Sequence, residues 1–120
     1  MEVASIIFCE KWINTKVLEF FSKKGRIQRD ESDYYIIDNN GRLMYILHFD
    51  VDYDYEKELN NSKEASDMAL NMFPEGMIRQ IDISFKNHDQ FYIDLEILLD
   101  GLEKAKVIVD CPFDGLIHPK

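Results

Sequence analysis

Hydrophobic positions along the chain fall into alternating blocks of helical and extended period. From Glu10 to Lys24 the apolar residues Ile13, Val17, Phe20 and Phe21 recur at steps of three and four, with Trp12 beside them, which predicts an amphipathic helix. Lys23 and Lys24 suit the negative end of its dipole, and Gly25 is expected to end it in a left-handed conformation. The preceding residues, Val3 to Phe8, fit a short strand or a first helical turn, and the pattern does not separate the two.

A hairpin is the clearest signal. Tyr34 to Asp38 and Arg42 to Tyr53 flank the turn Asp38-Asn39-Asn40-Gly41, where Asn-Gly supplies the positive φ angles that tight turns demand. In the second arm Leu43, Tyr45, Leu47, Phe49, Val51, Tyr53 and Tyr55 point one way. Met44, Ile46, His48, Asp50, Asp52 and Asp54 point the other, so the arm starts apolar on both faces and ends with one acidic face.

A second helix is expected after Asn61 or Ser62 as N-cap, with Ala65, Met68, Ala69, Met72 and Phe73 as its packed stripe and Pro74 and Gly76 closing it. Met77 to Phe85 alternates as a half-buried strand, with Ile81, Ile83 and Phe85 opposite Ile78, Gln80, Asp82 and Ser84. From Phe91 to Leu102 a period of two continues through Ile93, Leu95, Ile97 and Leu99. Leu95, Leu98, Leu99 and Leu102 fit a helix as well, and the Asp100-Gly101 pair tips the reading toward a strand and hairpin. Lys104 to Asp110 is β-branched around Val107, Ile108 and Val109, Pro112 stops it, and Phe113 to Lys120 reads as a surface loop. The expected architecture is α+β: one domain of 120 residues, with an antiparallel sheet of about five strands and two helices packed mainly on one face.

Charge sharpens this picture. The net charge is −9, and it is uneven: residues 1–29 carry net +3, residues 30–60 net −7, residues 61–103 net −6 and residues 104–120 net +1. Such a field repels nucleic acid and anionic membranes and attracts basic partners. The first eight residues lack the basic n-region and long apolar run of a signal peptide, and no apolar run approaches the roughly 20 residues of a membrane span. A cytoplasmic protein is expected. Cys9 and Cys111 stand far apart without CxxC spacing and read as reduced thiols packed as small hydrophobes.

Candidate chemistry concentrates at Asp50, Asp52 and Asp54, followed by Glu56 and Glu58. An EF-hand beginning at Asp50 would need Gly and Glu where the chain has Tyr55 and Asn61. Alternating aspartates on a strand stand about 7 Å apart, which suits a charged face better than one coordination shell. We therefore expect no bound metal or cofactor, and a partner-binding surface built from Asp50, Asp52, Asp54 and Glu56 with Tyr53 and Tyr55 as anchors, because tyrosine offers area together with a polar tip. Tyr45 is expected in the core, and one of Tyr34 and Tyr35 outside it. His48, His88 and His118 lack a nucleophile at a telling spacing, and Asp94 and Glu96 opposite Asp82 imitate a carboxylate pair that reads as surface charge. The five glycines are scattered, with no phosphate-binding pattern, so the sequence reads as non-enzymatic.

Size, acidity, exposed aromatics and layout make the chain resemble the small immunity proteins of bacterial toxin systems, including those of contact-dependent growth inhibition. The resemblance covers the whole chain and rests on no motif. It implies a cytoplasmic inhibitor that binds a basic toxin domain, a nuclease by expectation, and places carboxylates where the toxin receives phosphates. The rival readings are a DNA-mimicking inhibitor of a host enzyme, a small metal-dependent enzyme and a non-catalytic regulatory subunit.

Overall fold

The computed structural model describes residues 1–49, 63–74, 78–102, 105–111 and 116–119. The chain runs β1 (Glu2–Phe8), α1 (Trp12–Ser22), β2 (Arg26–Asp30), β3 (Asp33–Ile37), β4 (Leu43–Phe49), α2 (Lys63–Met72), β5 (Arg79–Phe85), α3 (His88–Gly101), β6 (Val107–Cys111) and β7 (Leu116–Pro119). Among the described residues the strands form one sheet in the order β2-β3-β4-β5-β1-β6-β7, with every pairing antiparallel. The expected α+β class with an antiparallel sheet is the observed one.

Val3 to Phe8, left open by its pattern, belongs to β1, which pairs with β5 on one side and β6 on the other. Its alternation explains this position. Ala4, Ile6 and Phe8 enter the main core, and Ile7 enters a smaller core on the opposite face. On the main face lie α1 and α3, through Ile13, Val17 and Phe21 of the first and Phe91, Leu95, Leu98 and Leu102 beside the second. On the other face α2 covers Ile7 and Ile108 with Ala69 and Phe73. Burying a large apolar side chain contributes roughly 1.5–3 kcal/mol, so these two clusters fix both layers.

The segment read as a strand from Phe91 is α3. Asn87 caps it, its Oδ1 accepting the Gln90 amide at 3.0 Å, and Asp89 in the first turn suits the dipole. The period of two was an artefact of Ile93 and Ile97, which are 55% and 51% exposed. Phe91, Leu95 and Leu98, at helical spacing, are the residues that bury, and Phe91 stacks on Phe85 with ring centroids 4.0 Å apart. Asp100-Gly101 forms the last helical turn, not a hairpin.

Three smaller differences follow from packing. Gly25 does not adopt positive φ; among the described glycines Gly41 does, at 77°. Gly25 is needed because a Cβ there would run into the Ile37 carbonyl of the neighbouring strand. Arg26 to Asp30, which carries no apolar alternation, is drawn into the sheet as β2 by pairing with β3. The tail expected to be a loop contains β7, which pairs Leu116 with Cys111 and Pro119 with Ile108.

The expected hairpin is present as β3 and β4, and Asp38 organises its turn. Its Oδ1 accepts the amides of Asn40 at 2.8 Å and Arg42 at 2.9 Å.

Candidate functional site

Antiparallel register sets residues on neighbouring strands side by side on one face. On the face opposite α1 and α3, the partners run Asp30, Asp33, His48, Asp82, Ser5 and Asp110 across β2, β3, β4, β5, β1 and β6. Four carboxylates and one imidazole therefore stand in a single row perpendicular to the strands, spaced about 4.8 Å from strand to strand. Each belongs to the polar parity of its strand: Ser5 lies between Ala4 and Ile6, His48 next to Leu47, Asp82 between Ile81 and Ile83, and Asp110 next to Val109.

Hydrogen bonds orient two of the row's carboxylates. His48 Nδ1 and Asp33 Oδ1 are 2.6 Å apart. Asp82 Oδ1 accepts from Ser5 Oγ at 2.7 Å and from Gln80 Nε2 at 2.6 Å, and the same Gln80 nitrogen lies 3.3 Å from Ser5 Oγ. Asp110 is buried, whereas Asp33, His48 and Asp82 are half-buried and Asp30 is exposed. The row thus places Asp30, Asp33 and Asp82 toward solvent, with the Asp33 and Asp82 carboxylates oriented by His48, Ser5 and Gln80, while Asp110 lies buried at its end.

A second polar cluster lies inside the core. Asp94, 1% exposed, accepts from Tyr45 Oη at 2.5 Å and Gln90 Nε2 at 3.0 Å, and Lys24 Nζ sits 3.1 Å from its Oδ1. Burial, then the hydrogen bond to Asp94, then its charge push the Tyr45 hydroxyl far above its ordinary range. Tyr45 is therefore a permanent donor. The expectation that Asp94 and Glu96 share a strand face opposite Asp82 as surface charge is corrected for Asp94, which is on α3 and points into the core beneath Tyr45, while Glu96, on the same helix, is exposed as expected.

The other singled-out residues have local roles. His88 Nδ1 lies 3.2 Å from Glu2 Oε2, and its ring stacks on Tyr92 with centroids 5.7 Å apart. His118 is opposite Val109 in the β6–β7 register. Tyr45 is in the core as expected, and Tyr34 and Tyr35 are both half-buried, Tyr34 against Phe49. Cys9 is half-buried and Cys111 buried; burial, and secondarily Glu10, raise the Cys9 pKa against the opposing effect of Arg79. Asp50, Asp52, Tyr53, Asp54, Tyr55 and Glu56 lie outside the described residues. The chain enters that stretch directly from Phe49, next to His48.

His48 and Asp82 stand out in the sequence, but their alignment with Ser5, Asp33 and Asp110 does not. The alternation of β4 and β5 was visible along the chain, β2 carries none, and only register brings residues of separate strands into one row. Among the described residues no group of three or more His, Cys, Asp and Glu side chains is arranged to hold a metal ion, and no described helix is long and apolar enough to cross a membrane. No family model, curated protein or solved structure matches this chain.

Proposed function

We propose that this protein is a cytoplasmic immunity protein, a non-catalytic inhibitor that binds and neutralises a basic toxin domain through its acidic sheet face. The observation that carries this reading is the in-register row of Asp30, Asp33 and Asp82, the carboxylates of the row that reach solvent. A sheet holds such groups in place before the partner arrives, so little ordering entropy is lost on binding. The net charge of −9 supports it further, because opposite fields accelerate encounter and carboxylates oriented by neighbouring donors discriminate among arginine and lysine patterns. A phosphate-binding nuclease cleft presents such a pattern. The acidic stretch with Asp50, Asp52, Asp54 and Glu56, and with Tyr53 and Tyr55 as anchors, follows β4 directly in sequence and would extend the contact.

Co-expression with the product of the neighbouring gene, scored by growth rescue and by co-purification at moderate salt, tests the reading. Rescue with a stable complex is the expected result. In that complex, replacing Asp50, Asp52 and Asp54 with Asn is expected to slow association and flatten its salt dependence, with Asp33→Asn adding to the effect. A harmless neighbour and no complex would overturn the proposal, and inhibition of many unrelated DNA-binding proteins would replace it with DNA mimicry.

A further inference from the structure

We propose that β2 pairs antiparallel with β2 of a second copy of this chain, forming a two-fold dimer whose sheet runs continuously through both protomers. Among the described residues β2 is an outer strand of the sheet, with β3 on its inner side. Four of its five residues are exposed. An outer strand presents a row of backbone donors and acceptors that folded proteins ordinarily protect with proline, a bulge, brevity or charged side chains; β2 carries charges, but of both signs, so they can pair across an edge as well as block one. The opposite outer strand, β7, is four residues long and ends in Pro119. By contrast β2 contains no proline and pairs with β3 in unbroken register.

The sequence of β2, Arg26-Ile27-Gln28-Arg29-Asp30, is complementary to itself when read backwards. A two-fold axis at Gln28 sets Arg26 of each copy opposite Asp30 of the other, twice, on the face that Gln28 shares. A slip of one residue in one direction sets Arg26 against Arg29, and in the other it sets Asp30 against Ile27. Only the central register satisfies both charges, as isologous contacts require.

Both charges are available within a single chain. Arg29 is already engaged, its Nε donating to the Glu31 carbonyl at 3.2 Å and its guanidinium lying over Tyr34. Arg26 and Asp30 have no ion-pair or hydrogen-bonded side-chain partner among the described residues.

Light scattering coupled to size exclusion, from micromolar to millimolar protein, tests this. Wild type is expected to approach twice the 14.2 kDa chain mass. Arg26→Asp and Asp30→Arg, each creating two like-charge contacts, are expected to weaken association roughly tenfold or more, and the double variant to restore it. Both positions are exposed, and unchanged circular dichroism and melting temperature confirm that each variant folds. A wild type that stays monomeric throughout, single variants that dimerise as well as wild type, or a double variant no better than either single would each overturn the proposal. Growth into filaments through pairing of unlike edges would overturn it too. The readout is independent of any basic partner, so it fails or stands separately from the immunity reading.

Discussion

The Tyr45 hydroxyl donates a 2.5 Å hydrogen bond to the carboxylate of Asp94, tying β4 to α3 across 49 positions of sequence. Asp94 is buried, and a buried carboxylate left without donors costs several kcal/mol, so this bond and the Lys24 contact settle where α3 packs. Tyr45→Phe removes a bond to a charged group and is expected to lower stability by about 1.5–3 kcal/mol. Lys24→Met leaves Asp94 without its cation and is expected to cost about 3 kcal/mol, the low end for such a pair because solvent reaches Lys24. Urea denaturation of both variants measures this; a loss under half a kcal/mol in each would show that the cluster does not hold α3.

The same bond sets a pH dependence. The Tyr45 pKa is raised above the ordinary tyrosine value of about 10, so the folded state holds that proton where the unfolded chain releases it. The contribution is complete below about pH 10 and declines above it, by up to roughly 1.4 kcal/mol per pH unit for one proton. The stability difference between wild type and Tyr45→Phe is therefore expected to shrink as pH rises above 10. A constant difference would contradict the donor role.

Side chains along α3 separate a helix from a strand by mutation alone. Leu95→Ala is expected to cost about 2–5 kcal/mol, whereas Ile93→Glu and Ile97→Glu, both on the exposed side, should stay within about half a kcal/mol. Asn87→Ala removes the cap of α3 and should cost about 1 kcal/mol. In a strand of period two, positions 93, 95 and 97 would respond together.

Gly25→Ala forces a methyl group against the Ile37 carbonyl and is expected to destabilise by about 1–3 kcal/mol. Gly101→Ala, where an added Cβ meets nothing within 4 Å, serves as the control in thermal melting and should be neutral or stabilising.

The two thiols should differ in reactivity. Cys9 is half-buried with a raised pKa, so at pH 7 it is expected to react with a thiol-selective reagent more slowly than a free cysteine does. Cys111 is buried and should react only on unfolding. Time-resolved mass spectrometry of native protein and of Cys9→Ser checks both.

Elements whose signals are local were legible in the chain alone. The stripe Ile13, Val17, Phe21 made α1, Asp38 and Gly41 made the β3–β4 turn, and the alternation of Ile81, Ile83 and Phe85 made β5. The strong acidity and the polar parity of β4 and β5 were legible there as well. Tertiary structure decided what local pattern leaves degenerate. Leucines and isoleucines from Phe91 onward satisfy periods of 2 and 3.6 together, and the choice fell to the helix through the Asn87 cap and the buried contacts of Phe91, Leu95 and Asp94. β2 and β7 became strands because β3 and β6 offered unpaired backbone groups, a demand made by neighbours distant in the fold and invisible in composition. The row from Asp30 to Asp110 arose the same way: parity is written in β4 and β5, but which aspartate stands beside which is set by register, and register is a property of strands already assembled.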